Sequence, residues 1–450
     1  MSKHQKTVKK RPTVQIKGKI HEKKEGWIIT EICGKPFERG YAHGALLSKE
    51  LERVLKVFPF IVHEQFRKKV TFSEYLKKCK ELINPHINAT NCSEFYEELR
   101  GISAGAKSNG VSITVDYLIA WNSLLTMYSY YFDHSETATK RCSAFIATGN
   151  ATKQGDIVMA HDTHSDFATG QLLNIMLYVY PDQGYPFCMQ TSAGFIASSS
   201  DWFLCSTGII GCETTISDID YKPSLYKGSK RIPYFCRIRQ AMQYGKTLDD
   251  YVSIMTKHNA GDYANSWLLG DVNTGEIMLL EIALKTHHIE RTLNGVFYGM
   301  NSAIDFEIRS RETHDQDFMN PETSSGSRNI RLNALLNDRY YGHITPAIAK
   351  RVMSDHYDVF LDKTIMNGRT ICCHTELTNK STGHPDILHG CTDSKVVNTA
   401  MAKQLQCLAR FGSACGRPFH IKDYVKTHSS AKPWMAVLDD IPTYTWTTIG

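Results

Sequence analysis

The sequence predicts an α+β sandwich, and three observations carry that reading. Residues 37–132 place apolar side chains at three- and four-residue steps, the spacing of amphipathic helices. From Cys142 onward the pattern changes to short apolar runs broken by turns. Helical segments then interrupt those strands, as expected of helices layered on sheets.

The helical part has four pieces. "FERGYAHGALLSKELERVLKVFPFIVHEQF" carries the first apolar stripe. "TFSEYLKKCKELI" opens at a Thr or Ser cap, "CSEFYEELRGISAGAKSNG" ends in small residues, and "TVDYLIAWNSLLTMYSYYF" is a fourth apolar run. In the strand-rich part, "CSAFIAT" and "DIVMAHD" flank "GNATKQG", and "SWLLGD" and "EIMLLEI" flank the hairpin loop "VNTG". "LLNIMLYVYP", "GIIGCETTI" and "GVFYGM" read as further strands. "RIPYFCRIRQAMQY", "TLDDYVSIMTKHN" and "SRNIRLNALLNDRYY" read as helices. The expected organisation is a basic tail over 1–25, a helical segment over 26–141 and a β-rich chain over 142–450.

Composition narrows the function classes. With 450 residues, 42% hydrophobic and 22% charged, the chain is globular in type. No run reaches the roughly 18 apolar residues of a membrane helix, and the basic start lacks the apolar core of a secretory signal. The net charge of +6 is mild and concentrated in the tail, so no nucleic-acid partner is expected. The 13 cysteines are odd in number and lack a CxxC pair, which points to reduced thiols and a cytoplasmic setting. In that setting the N-x-[ST] triplets at Asn88, Asn91, Asn150 and Asn379 are chance. "ICCHTE" (Cys372, Cys373, His374) offers soft ligands with no spaced partner, so neither a metal nor a cofactor is expected. Oligomeric state stays open.

Cys142 stands at the head of a strand, where a free cysteine is either a small buried hydrophobe or a nucleophile. A symmetric hairpin centred on Thr152 places Thr148 opposite Asp156 and Cys142 opposite Asp162. The thiol would then meet the cluster "HDTH", with His161, Asp162 and His164. A facing carboxylate raises a thiol pKa, so a second proton acceptor is wanted. If the chain were cut before Cys142, the new α-amino group, with a reference pKa of roughly 7.7–8.0, would lie on the nucleophile's own residue and serve as base.

Here the sequence resembles the N-terminal nucleophile (Ntn) hydrolases. Within them it is similar to the peptidase C45 family of acyl-CoA:6-aminopenicillanate acyltransferase-like proteins, relatives of choloylglycine hydrolase, acid ceramidase and phospholipase B-like proteins. The segments "GKPFERGYAHG", "CSAFIATGNATKQGDIVMAHDTHSDF", "NSWLLGDVNTGEIMLLE", "FYGMNSAIDFEIRSRE" and "GSRNIRL" follow in family order. The resemblance implies a four-layer αββα fold made as a precursor and self-cleaved between Arg141 and Cys142. It implies an amidohydrolase or acyltransferase acting on a linear C–N bond through a Cys142 thioester, with a small acyl amide or ester as substrate. A lipid ester hydrolase with the same nucleophile, and an inert member of the fold, are the alternatives.

The resemblance also assigns residues. Asn301 matches an asparagine that binds the free amino terminus or the oxyanion, and Arg328 matches an active-site arginine. Asp162 joins them as a catalytic candidate. Glu213, Thr214, Asn265, His161 and His164 are substrate-binding or supporting candidates. Choloylglycine-type members carry Arg and Asp where this chain has His161 and His164, and "HDT" looks more like the phospholipase B-like branch. Structural readings stand beside these: Asn301 ends a strand, and Arg328 follows the N-cap candidates in "TSSGS".

Overall fold

The computed structural model describes residues 15–66, 69–131, 141–220, 231–378 and 388–450, without the side chains of 128–131 and Arg141. The expectations for residues 1–14, the Arg141 side chain and Asn379 lie outside the described residues.

Two β-sheets form the centre. Chain order gives β1 (Gly18–Lys24), β2 (Trp27–Gly34), β3 (Arg141–Gly149), β4 (Gly155–Asp166), β5 (Ile175–Pro181) and β6 (Phe187–Thr191). Then come β7 (Trp202–Cys205), β8 (Ile209–Thr215), β9 (Asn265–Asp271), β10 (Glu276–Ile282), β11 (His287–Thr292) and β12 (Gly295–Gly299). A two-residue pair, β13 (Tyr357–Asp358) and β14 (Lys363–Thr364), precedes β15 (His389–Asn398), β16 (Cys407–Phe411) and β17 (Thr447–Ile449). The larger sheet runs β1-β2-β5-β6-β7-β8-β9-β10-β11, and the second runs β12-β3-β4-β15-β16-β17.

Strand alternation sorts the core into three large apolar clusters. Ile29, Met176, Ile210 and Leu268 from the nine-stranded sheet meet Ala144, Ile146, Met159 and Val397 from the six-stranded one. Their neighbours Ile28, Leu177 and Trp267 face the other way, onto Leu51, Phe58 and Trp121 of the helical segment. Phe145, Val158 and Ala160 likewise face Leu332, Leu335 and Met353.

The helical segment carries α1 (Pro36–Leu46), α2 (Ser48–Gln65), α3 (Phe72–Leu82), α4 (Ser93–Ser108), α5 (Val115–Asn122) and α6 (Leu124–Tyr131). Thr71 caps α3 by accepting from the Glu74 amide, as its sequence suggested. Matched glycines bring α1 and α4 into backbone contact. A Cβ on Gly40 would lie 2.0 Å from the Glu98 carbonyl oxygen, on Gly44 2.0 Å from that of Ile102, on Gly101 2.3 Å from that of Phe37, and on Gly105 2.1 Å from that of Tyr41. Only glycine permits that approach. Beside the crossing, buried Arg39 donates from Nε to Glu98 (2.6 Å) and from Nη2 to Glu94 (2.7 Å). After the short α7 (Phe167–Gly170) comes α8 (Tyr234–Tyr244), whose Arg239 adds a fork onto Glu98 at 3.0 and 2.9 Å.

One boundary needs correction. Residues 18–24, expected within the flexible tail 1–25, form strand β1, paired antiparallel with β2 from Gly18↔Ile32 to Lys24↔Trp27. Its side chains are mostly solvated because it is an edge strand, and charged edges read as tail in sequence.

Candidate functional site

The β3–β4 hairpin fixes Cys142, and its register differs from the symmetric expectation by one residue. A bulge between Ala147 and Gly149 absorbs a position, so Cys142 faces Thr163 and Ser143 faces Asp162. One residue of slip moves a side chain to the opposite face of the sheet. Asp162 is therefore not the partner of the Cys142 thiol. With His164 it lies on the far face, where both come within 4.8 Å of Cys391. The thiol, with Thr163 and His161, points between the two sheets.

Two expected residues do converge on Cys142. Asn301 follows β12 at φ +78°, a left-handed conformation that Asn tolerates better than most residues. Its Oδ1 accepts the Cys142 backbone N–H at 2.7 Å, and its Nδ2 donates to the Thr215 carbonyl at 3.0 Å. Arg328 sits in the second turn of a helix at Ser324–Asn333, capped by Thr323. Its guanidinium donates to the Cys142 carbonyl (2.5 Å), the Ser143 hydroxyl (3.2 Å), the Met300 carbonyl (2.8 Å) and Asn301 Oδ1 (3.0 Å). The Arg328 donors fix Oδ1 as the oxygen, and so Asn301 holds a nitrogen at Cys142. Both residues thus grip the Cys142 main chain on its two sides.

The supporting candidates divide. His161 Nε2 lies 3.0 Å from the Glu213 carbonyl oxygen. Glu213 accepts from the Tyr263 hydroxyl at 3.0 Å. Thr214 packs against Gly299, where a Cβ would lie 2.3 Å from its hydroxyl oxygen. Asn265 pairs with Thr215, whose carbonyl anchors Asn301, and so acts one strand away from Cys142.

Sequence reasoning missed the groups facing Cys142 from β15 and β6. Thr163 donates to Asp393 Oδ1 (2.9 Å) and accepts from Lys395 Nζ (2.8 Å). Lys395 also donates to Gln190 Oε1 (2.6 Å) and to Asp393, and Gln190 Nε2 donates to Asp393 Oδ2 (2.8 Å). All four side chains are buried. The available signal was "TDSKVV", which puts Asp393 and Lys395 on one face of a strand that runs on into Val396 and Val397.

Burial dominates the electrostatics. It pushes the Cys142 thiol well above its ordinary value, with Glu213 and Asp201 adding to the rise and the His164 backbone and Lys395 opposing it. It holds His161 well below the usual imidazole range, helped by Lys395. It raises Asp162 well above the carboxylate range, against Ser394 and Lys395. In the uncut chain burial thus favours the neutral thiol of Cys142 and the neutral imidazole of His161 between the sheets, and disfavours the charged form of Asp162 on the far face. Four Arg328 hydrogen bonds at the site run to backbone carbonyls and neutral side-chain oxygens.

A family model described as Phospholipase B matches residues 53–282, just over half of the chain. An uncharacterized protein of Archaeoglobus fulgidus is 24% identical over 253 residues, covering 54% of this chain and 41% of that protein. The chain thus matches about two fifths of that relative's length. Among solved structures, a point mutant of conjugated bile acid hydrolase from Clostridium perfringens aligns at 9% identity over 60% of this chain and 89% of that one, with a TM-score of 0.36. A second point variant of the same hydrolase aligns at 10% identity over 60% and 81%, with a TM-score of 0.28.

Proposed function

The chain belongs to the phospholipase B family, and from that premise we propose that it is a self-processed Ntn-type acyl hydrolase whose nucleophile is Cys142. The observation that carries the proposal is the grip of Asn301 on the Cys142 nitrogen and of Arg328 on its carbonyl. A merely buried cysteine needs neither. The αββα layering is supported by the three large apolar clusters, one between the sheets and one on the outer face of each.

In processing, Sγ attacks the Arg141 carbonyl carbon and the Arg141–Cys142 C–N bond breaks. The thiol proton passes to the departing Cys142 nitrogen, and water hydrolyses the thioester to free the Arg141 carboxylate. The released α-amine then lies where Asn301 already accepts an N–H. Near neutral pH it takes the thiol proton, offsetting the burial that disfavours the thiolate. The thiolate attacks a substrate acyl carbonyl and expels an amine, which leaves with the proton. Water releases the acid, or a second amine accepts the acyl group.

An acyl amide is the first substrate reading. A lipid ester is the second, and the description of the matching family favours it. Brief incubation with an N-acyl amide and with a lysophospholipid, followed by acid quench and peptide mass analysis, separates them. The expected result is an acyl adduct, released by hydroxylamine, on the peptide that begins at Cys142. Turnover without that adduct, or with an adduct elsewhere, contradicts the assignment of the nucleophile.

A further inference from the structure

On the far face of the six-stranded sheet, three separate segments bring four soft ligands together. The ligand atoms of His356, Cys372, His374 and Cys415 all lie within 4.8 Å of one another. We propose that these four residues bind one tetrahedral Zn²⁺ ion, a structural site that ties the loops behind Cys142 to the sheet.

The spacing fits the ion. Zn–S bonds of about 2.3 Å and Zn–N bonds of about 2.0–2.1 Å at the tetrahedral angle separate S from N by about 3.5 Å. His374 Nε2 is 3.5 Å from Cys372 Sγ and 3.4 Å from Cys415 Sγ. Cys₂His₂ is a closed donor set typical of structural zinc, and with two thiolates it leaves the site neutral.

The surroundings fit as well. With Nε2 facing the thiols, His374 Nδ1 pairs with Glu376 Oε1 at 2.8 Å. That carboxylate–histidine pair fixes the ring and its tautomer, as in zinc sites generally. Cys373 stands between the two ligands at φ +42°, a bend in the backbone that leaves Cys372 and His374 on the same side. His356 closes the set from the far end of the loop, and its Nε2 is buried with no hydrogen-bond partner.

The cluster is joined to the strands that carry Cys142. The Ile371 carbonyl, next to Cys372, accepts from the Ser143 hydroxyl at 3.2 Å. The Cys373 carbonyl accepts from the Cys391 amide at 3.0 Å, and the Ala414 amide, next to Cys415, donates to Cys391 Sγ at 3.4 Å. Residues 354–378 contain little regular structure among the described residues, so a cross-link there has a structural task.

The test uses the full chain, reduced, incubated with Zn²⁺ and desalted. One equivalent of zinc should remain by elemental mass spectrometry. Replacement by Co²⁺ should give the intense visible bands of tetrahedral cobalt with thiolate-to-metal charge transfer. Cys415→Ala should lose the retained equivalent, Cys415→His should restore it with weaker charge transfer, and Glu376→Gln should weaken affinity about 10–100-fold. Cys142→Ala should retain zinc fully, which separates this site from the nucleophile. Less than a tenth of an equivalent retained by the native chain, an octahedral cobalt spectrum, a Cys372–Cys415 disulfide in the protein as isolated, or full retention in Cys415→Ala would each overturn the proposal. If Cys415→Ala fails to fold, the native cobalt spectrum decides alone.

Discussion

Two buried arginine clusters show what burial of charge does in this molecule. At the α1–α4 crossing, Arg39 and Arg239 converge on Glu98, with Glu94 beside them. Burial alone would raise the Glu98 carboxyl, but Arg239 and Arg39 outweigh it and hold the carboxyl below its usual range. At the hairpin, Arg328 bonds to the Cys142 main chain, and the thiol, His161 and Asp162 are all displaced toward their neutral forms. The first cluster compensates its own desolvation and builds structure. In the second, burial stays unbalanced at the Cys142 thiol and at His161, a pattern that fits the role proposed for Cys142.

Breaking the second cluster should therefore cost function, and breaking the first should cost stability. The largest effect is expected for Cys142→Ala. Processing should cease and turnover fall by about 10⁶-fold, to background. The side chain is small, so melting temperature should move little, and cleavage persisting in this variant would assign the cut to another group.

Next comes Asn301→Ala, which removes the acceptor for the Cys142 nitrogen. Turnover of processed protein should fall about 10²-fold through loss of positioning. Asn301→Gly relieves the left-handed backbone but should not restore activity, and recovery in that variant would make Asn301 a turn residue only.

At the first cluster, Gly44→Ala forces a methyl onto the Ile102 carbonyl and should destabilise the fold by about 2 kcal/mol in denaturant unfolding. Any protein that stays folded should still process normally. A loss of processing at unchanged stability would show that the helix crossing shapes the site.

The last effect is confined to acid pH. His43 accepts the Gly194 N–H at Nε2, and burial lowers its pKa to about 4, Arg239 adding to the fall and Glu98 opposing it. The unfolded chain binds the proton first, so this contribution is full above about pH 6.5 and is lost as pH falls toward 4. The slope is at most about 1.4 kcal/mol per pH unit. Acid unfolding of His43→Gln should be correspondingly less steep over that window, and an identical slope would remove His43 from the account.

These contrasts also mark how far the sequence could be read. The helical segment, the hairpin at Cys142 and the strand before Asn301 were legible because period and turn chemistry are local. The hairpin's register was not, since a bulge at Thr148 shifts it by one and sends Asp162 to the other face. Lys395 and Asp393 reach Cys142 through β15–β4 pairing across more than two hundred residues, which no local pattern announces. His356 and Cys415 escaped for the same reason: Cys372 and His374 were visible, but their partners come from distant loops. The glycine pairs in "GYAHG" and "GISAG" were visible as spacing, and only the helix crossing explains them.

The central claim is that the strand holding Cys142 becomes a chain terminus. N-terminal sequencing of the protein after prolonged incubation, separated under denaturing conditions, tests it most directly. The account predicts two chains that remain together until denatured, the second beginning Cys142-Ser143-Ala144. A single uncut chain, or a second chain beginning at any other residue, would contradict it.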